Sequence, residues 1–315
     1  MSRPLPFLPL LCLVSLGCED TLSADPFVSD ADFLDALPRA EDHTLAVGGE
    51  EAGGNSQRGT APPPDEDDGW PDLLGMSIEV ATGLNGITLT CLSLVDAVAE
   101  TPPGYRSATE RKWGPIEVED DWTLSLDMAR TQGDFTWDFK AAQFADGPLP
   151  SLCAGAHEPG SGSLSAGRGV FDVWLDNWSD IDDAVGTLAT EYDLTEGQEL
   201  RILIDGVGAE GGRAEDGGYY FWNSPDGWGD FQYRTTLLLD TGEEAVLEVR
   251  TRWRADGTGR SDARVLSDEL PRAYRFSECF QGGRKVWRWT DLWGGYEEGD
   301  SAECSFASPA AVDEI

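Results

Sequence analysis

Residues 231–254 constrain the fold of this chain more than any other stretch. They read FQYRTTLLLDTGEEAVLEVRTRWR, in which two alternating arms flank the turn sequence at residues 240–243. One face of the two arms carries Phe231, Tyr233, Thr235, Leu237, Leu239, Ala245, Leu247, Val249, Thr251 and Trp253. This period of two is that of a β-strand, because successive side chains point to opposite faces. The opposite face of the second arm carries Glu248, Arg250, Arg252 and Arg254, so we predict an antiparallel hairpin with one face on a core and one in water.

Nine further segments show the same alternation. They are residues 122–128, 135–141, 171–175, 188–192, 200–204, 219–221, 261–265, 274–276 and 287–289. Clusters of Gly, Asp, Asn or Pro separate them, and these residues favour turns. With the two arms of the hairpin, the sequence therefore predicts eleven strands, most of them joined to their neighbours by short turns.

One helix is predicted, at residues 85–99. Apolar side chains recur at helical spacing from Leu84 to Val98, and Pro102 and Pro103 end the pattern. A buried strand at the same place stays open as an alternative. One helix before a series of hairpins predicts a mainly β protein, an antiparallel up-and-down barrel or half-barrel with one N-terminal helix. A two-sheet β-sandwich is the alternative.

Residues 1–18 have the pattern of an export signal. Arg3 precedes an apolar run that is too short to span a bilayer, and the stretch ends in Ser-Leu-Gly-Cys at Cys18. This ending resembles the lipobox of bacterial lipoproteins, in which the cysteine is lipidated, palmitate included, and becomes the new first residue. Ser15 stands where the family usually has Leu. The resemblance implies a lipoprotein of the bacterial cell envelope, anchored in a membrane and facing the periplasm or the cell surface; an ordinary secretory signal is the alternative.

Residues 19–72 are predicted to be an acidic, disordered tether that leads to a single antiparallel β domain at residues 73–315. The tether carries 15 acidic residues against Arg39 and Arg58. Such a segment cannot bury enough apolar surface to offset the entropy of ordering. The whole chain of 315 residues has a formal charge of −37, which excludes nucleic acid as a partner.

Four cysteines remain once Cys12 leaves with the signal and Cys18 is lipidated. An even number in an exported protein indicates disulfides. Order along the chain favours Cys91 with Cys153 and Cys279 with Cys304, although three pairings are possible. The disulfides would also remove the thiols as nucleophiles.

Catalytic designs based on histidine are poorly supported, since the chain has only His43, in the predicted tether, and His157, in a stretch that looks flexible. A carboxylate pair that hydrolyses a substrate, for example a glycoside, remains possible because the chain has 59 acidic residues. The protein is therefore more simply a non-catalytic binding or structural protein, with a carboxylate-based hydrolase as the alternative.

Two clusters are candidate binding sites. The acidic run at residues 176–183 offers oxygen ligands for calcium at Asp176, Asp180, Asp182 and Asp183. A solvated connection between strands is the preferred interpretation, because Trp178 stands where a calcium loop needs its third ligand and no glycine makes the central turn. No other cofactor is indicated. The second candidate site consists of four aromatic side chains: Trp174, Tyr220, Trp222 and Trp228. The three tryptophans do not follow the inward register of the predicted strands, and Tyr220 shares a strand face with Trp222. Exposed aromatics of this kind can bind a sugar, an apolar ligand or a protein. Core packing in a shifted register is the alternative.

Residues 257–264, GTGRSDAR, followed downstream by Ser277-Glu278-Cys279, resemble a pattern of uncharacterised predicted lipoproteins of bacteria. Phe280 stands where that group commonly has Trp. The resemblance implies export and a β fold but no activity. The order of one helix and many strands is also similar, in layout only, to the half-barrels that carry lipoproteins. From this we expect a lipid-anchored envelope protein that binds its ligand in an aromatic-lined barrel or groove.

Overall fold

The computed structural model describes residues 29–48, 72–118, 121–143, 147–161, 163–178, 184–209, 214–238, 242–268 and 270–312. Within these ranges all strands belong to one 15-stranded antiparallel sheet, in which each strand pairs with the next one along the chain. The strands are β1 (Tyr105–Arg106), β2 (Glu110–Val118), β3 (Trp122–Thr131), β4 (Asp134–Gln143), β5 (Ser151–Pro159), β6 (Gly167–Trp174), β7 (Ala184–Asp193), β8 (Gln198–Ala209), β9 (Glu215–Asn223), β10 (Gly229–Leu238), β11 (Glu244–Trp253), β12 (Thr258–Leu266), β13 (Tyr274–Gln281), β14 (Arg284–Thr290) and β15 (Tyr296–Gly299).

The predicted up-and-down antiparallel fold is confirmed, and each of the eleven predicted strands falls on an observed one. The two-sheet alternative is wrong, because one sheet contains every described strand. The sequence missed β1, β2, β5 and β15. In β2 the register shifts between Trp113 and Ile116, which breaks the alternation. The other three carry few large apolar side chains, since β5 reads SLCAGAHEP and β15 reads YEEG.

A long helix fills the inside of the sheet. Helix α2 (Leu73–Ala99) begins twelve residues before the predicted start, where the side chain of Asp72 accepts a hydrogen bond from the Gly75 amide at 3.1 Å. The strand alternative is therefore wrong. The mean hydropathy of α2 reaches 1.5, so by length and composition alone the helix could also cross a membrane. In this structure one face of α2 packs on the sheet.

The sheet curls around α2. The helix contacts β2 and β3 near one end of the sheet and β11 and β12 near the other. Ten strand spacings separate β2 from β12, which is about 48 Å along the sheet. The helix itself is about 40 Å long. The helix is shorter than this span, which fits a sheet that curves around it. Because β1 and β15 do not pair, the part of the structure described forms no closed barrel.

Part of the predicted tether is folded. Helix α1 (Asp30–Asp35) and a 3₁₀ turn (Ala40–His43) lie against the sheet, and the apolar side chains among their acidic residues are buried: Phe33, Leu37, Leu45 and Val47. Phe33 meets Phe135 edge-on, with ring centroids 5.4 Å apart. The tether prediction is thus corrected for residues 29–48. Residues 19–28 and 49–71, like the predicted signal and Cys18, lie outside the described residues.

Both predicted disulfides are present. Cys91 joins α2 to Cys153 of β5, and Cys279 of β13 joins Cys304, with Cα atoms 6.5 Å and 5.4 Å apart. The first staples the helix to the sheet. The second holds the start of the segment that follows β15.

The hairpin of β10 and β11 has the predicted register, but its outer face differs from the prediction. Val249 and Trp253 are buried, as expected. The arginines of the opposite face are not in open water, since the side chains of Arg250 and Arg252 are only 18% and 19% exposed. Residues 305–312 cross this face and cover it. A strand pattern cannot reveal this cover, because the covering residues lie more than 50 positions away in the sequence.

Candidate functional site

Three of the four predicted aromatics come together on the outer face of the sheet. In β9, Tyr219 and Phe221 point inward and are buried, so Tyr220 and Trp222 point outward. Trp228 lies in the turn before β10, which is closed by hydrogen bonds from the Ser224 amide to the Trp228 carbonyl (2.9 Å) and from the Gly227 amide to the Ser224 carbonyl (2.9 Å). We call Tyr220, Trp222 and Trp228 the aromatic cluster.

Two rings of the aromatic cluster are in contact, and all three side chains are at least partly open to solvent. The centroids of Trp222 and Trp228 are 4.1 Å apart in an edge-to-face arrangement, and Trp228 is 48% exposed. The guanidinium of Arg201 lies 5.5 Å from the ring centre of Tyr220. These aromatics therefore form a surface feature, and the shifted-register core alternative does not apply to them.

Charged pairs flank the aromatic cluster. Arg201 pairs with Glu199 at 3.3 Å on β8, and Arg250 pairs with Asp230 at 2.5 Å on β11 and β10. Burial, with a smaller contribution from the negative charges of Glu199 and Asp230, raises the pKa of Tyr220. Its hydroxyl is therefore neutral at physiological pH and is a hydrogen-bond donor. The cluster thus combines apolar rings with donors and acceptors at its edges.

Trp174 is not part of this cluster. The register places Trp222 opposite Glu199, Asp193 and Arg168 on the successive strands β8, β7 and β6. Trp174 lies six residues further along β6, which is about 20 Å along the strand. It points outward as predicted, but the structure separates it from the other three.

The predicted calcium site is not assembled in the described part of the chain. Asp176 is exposed in a 3₁₀ turn, and its carboxylate accepts a hydrogen bond from the Gly186 amide at 3.3 Å. Asp180, Asp182 and Asp183 lie outside the described residues. Elsewhere in the residues described, no three His, Cys, Asp or Glu side chains are grouped as metal ligands would be.

The two histidines converge in the core, which the sequence did not indicate. His43 is 1% exposed and His157 is 2% exposed. Both rings lie against Tyr192, with the centroids of His43 and His157 4.6 Å and 5.9 Å from that of Tyr192. The expectation that His43 lies in a disordered tether and His157 in a flexible stretch is wrong, since His157 belongs to strand β5.

Hydrogen bonds fix the proton of each histidine. Nε2 of His157 donates to the Leu164 carbonyl at 2.7 Å, so Nδ1 accepts from the Tyr192 hydroxyl at 2.9 Å. Nδ1 of His43 donates to the Arg39 carbonyl at 2.9 Å. Burial lowers the pKa of His157, and it lowers the pKa of His43 to about 4. Both rings are neutral packing groups, and His157 has no nitrogen left to act as a base.

A buried carboxylate anchors the N-terminus of α2. Glu278 of β13 accepts a hydrogen bond from the Leu74 amide at 2.6 Å, and its second oxygen lies 3.5 Å from the Lys285 ammonium. Burial raises the pKa of Glu278 to about 7. Because its side chain is 0% exposed, it has no route to a substrate. The Ser-Glu-Cys motif of the sequence therefore joins the sheet to the helix and to a disulfide.

A surface depression with a volume of about 440 Å³ lies beside β10, β11 and β12. It is lined by Thr236, Glu244, Ala245, Val246, Leu266, Ser267, Asp268, Leu270, Arg272 and Ala273. None of these side chains is aromatic. The aromatic groups that were expected to line a groove lie instead on the outer face.

The fold and the aromatic cluster define a class of protein, an open antiparallel sheet curled around one helix with exposed aromatics on its outer surface. No family model, no curated protein and no solved structure matches the chain.

Proposed function

We propose that this protein is an exported, lipid-anchored protein of the bacterial cell envelope that binds a carbohydrate at the aromatic cluster without converting it. The observation that carries the proposal is the contact between Trp222 and the half-exposed Trp228 outside the core. An apolar ring kept in water contributes little to folding and is well suited to stacking against the apolar face of a sugar. The pairs around Arg201 and Asp230 supply hydrogen bonds for hydroxyl groups.

The other polar groups support binding rather than catalysis. His157 is fully engaged in hydrogen bonds, and Glu278 is buried beneath the helix. Asp127 and Asp138 face one another across β3 and β4, but the Lys140 ammonium lies 2.6 Å and 3.0 Å from them. Carboxylates held by an ammonium group in this way are not free to attack a substrate as nucleophiles. The hydrolase alternative is thus less well supported.

Three features support the envelope location. The N-terminal pattern that ends at Cys18 resembles a lipoprotein signal. The two disulfides fit a compartment in which thiols are oxidised. The acidic surface of the chain, with its formal charge of −37, fits a protein held away from an anionic membrane by its anchor.

Replacing Trp228 with Ala tests the binding proposal. We expect affinity for soluble envelope glycans, such as peptidoglycan fragments, to fall about tenfold or more, since tenfold is only about 1.4 kcal/mol. Tryptophan fluorescence titration measures the affinity. The matched control is Trp174→Ala, which also removes an outward tryptophan but lies about 20 Å away along the strand direction. Equal losses in both variants, or no glycan binding by the unaltered protein, would contradict the proposal.

Replacing Cys18 with Ser tests the anchor. We expect the unaltered protein to partition into the detergent phase of a detergent extraction and Cys18→Ser to move to the aqueous phase, because lipid can no longer be attached. Cys12→Ser, a change within the same predicted signal, is the matched control and should leave partitioning unchanged. Aqueous partitioning of the unaltered protein would rule out the lipid anchor and leave the secretory-signal alternative.

A further inference from the structure

Residues 305–312 lie without regular secondary structure across the outer face of β11 and β12. Side chains of this face hold the main chain of the segment. Four arginines donate hydrogen bonds to carbonyl groups: Arg254 to Ser305 (2.8 Å), Arg260 to Phe306 (3.0 Å), Arg252 to Ser308 (2.9 Å) and Arg250 to Ala311 (2.8 Å). The carboxylate of Asp262 accepts a hydrogen bond from the Ala310 amide (3.1 Å). We call Arg250, Arg252, Arg254 and Arg260 the arginine face. Every one of these contacts uses a backbone group that any peptide possesses.

One side chain of the segment gives this contact a sequence preference. The ring of Phe306 lies against two guanidinium groups, with its centre 4.8 Å from the Arg252 carbon and 5.3 Å from the Arg254 carbon. A cation next to an aromatic face is attractive, more so when both are shielded from water. An aliphatic residue at this position would lose the attraction and keep the main-chain bonds.

The arginine face is arranged by the sheet as well as by the segment. Arg250 pairs with Asp230, Arg252 pairs with Asp262 at 3.2 Å, and Arg260 bonds to Asp262 and Ser277 at 2.8 Å and 3.2 Å. Because the sheet holds these guanidinium groups in place, the face should keep its shape when the segment leaves. The arginine face contains four of the 22 Lys and Arg residues of the chain, which also has 59 Asp and Glu residues.

We propose that the arginine face is a binding site for an extended peptide with an aromatic side chain, and that residues 305–312 of the same chain occupy it here. Recognition of main-chain carbonyls by fixed donors is how extended peptides are bound without strict sequence requirements. The Cys279–Cys304 disulfide lies directly before the segment and keeps its local concentration high. A partner peptide must therefore displace the segment. This site is separate from the aromatic cluster and does not depend on carbohydrate binding.

The proposal is tested by removing the segment from the chain and adding it back as a synthetic peptide. The chain is stopped after Cys304, which retains both disulfides, and a fluorescent synthetic peptide of residues 305–315, SFASPAAVDEI, is titrated in an anisotropy assay. We expect saturable binding to the shortened protein and at least tenfold weaker binding to the full chain, in which the site is occupied. A peptide with Phe306→Ala should bind the shortened protein at least tenfold more weakly than the natural peptide.

Two further variants keep the test decisive. In the shortened protein, Arg252→Ala should abolish peptide binding, whereas Arg284→Ala, at an exposed arginine at the start of β14, should not change it. If the shortened protein does not fold, the full chain with Phe306→Ala replaces it, and this variant should bind the natural peptide more tightly than the unaltered chain does. Absence of binding to a folded variant with the site open, or equal binding to the open and occupied forms, would overturn the proposal.

Discussion

Leu247→Asp should destabilise the protein by several kcal/mol. Leu247 is on the inner face of β11 and only 4% exposed, so the substitution would bury a carboxylate among apolar side chains with no partner provided for it. A typical domain has a total stability of about 5–15 kcal/mol, so a large part of it would be lost. Thermal or denaturant unfolding of a form without residues 1–28 measures the change, compared with the same form without the substitution.

Leu203→Asp is the matched control for this experiment. Leu203 is on β8 and points outward, with 54% of its surface exposed, so the same change of leucine to aspartate should alter the free energy of unfolding by no more than about 0.5 kcal/mol. If the two variants unfold alike, the assignment of an inner and an outer face to the sheet is wrong. The structure also changes what we expect at the outer face of β11. Arg250 is engaged by Asp230 and the Ala311 carbonyl, so it is unsuitable as a neutral control.

The contribution of His43 to the free energy of unfolding should fall between pH 6.5 and pH 4, whereas Glu278, whose pKa is raised to about 7, acts in the opposite direction as the pH falls. Its ordinary pKa is 6.5, and burial lowers the pKa to about 4 in the folded protein. Above pH 6.5 the ring is neutral in both states, so the contribution of His43 is fully present. As the pH falls, His43 is protonated in the unfolded chain but stays neutral in the folded protein. The His43 contribution to the free energy of unfolding is therefore about 3 kcal/mol smaller at pH 4. Residues 29–48 should be the first part to open.

His43→Phe isolates this contribution. Phenylalanine fits the aromatic surroundings of Phe171 and Tyr192 but has no proton to gain, and it loses only the hydrogen bond to the Arg39 carbonyl. We expect the variant to be slightly less stable at pH 7.5, and the difference from the unaltered protein to shrink and then reverse as the pH approaches 4. Unfolding measured at several pH values gives this difference. A constant difference at all pH values would show that His43 does not titrate as proposed.

The class of the fold and its disulfides were determined by the sequence itself. Alternation is a local property, so β10 and β11 could be predicted from residues that are near neighbours in the chain. The four cysteines outside the predicted signal leave only three pairings, and order along the chain selected the observed one. The outward positions of Tyr220 and Trp222 also followed from alternation alone.

Only the tertiary structure decided where distant segments meet. His43 and His157 are separated by more than 100 residues, and the Gln198 amide that holds the 3₁₀ turn donates to the Asp42 carbonyl 156 residues away. The same is true of residues 305–312 on the arginine face. Isolated apolar side chains such as Phe33, within an acidic segment, do not recur at the spacing of a helix or a strand, so their burial could not be predicted. The alternating sequence of a strand is also the same whether its outward arginines face water or are covered by another segment. Local alternation specifies the faces of a strand, whereas contacts between remote segments depend on how the whole sheet curls around its helix.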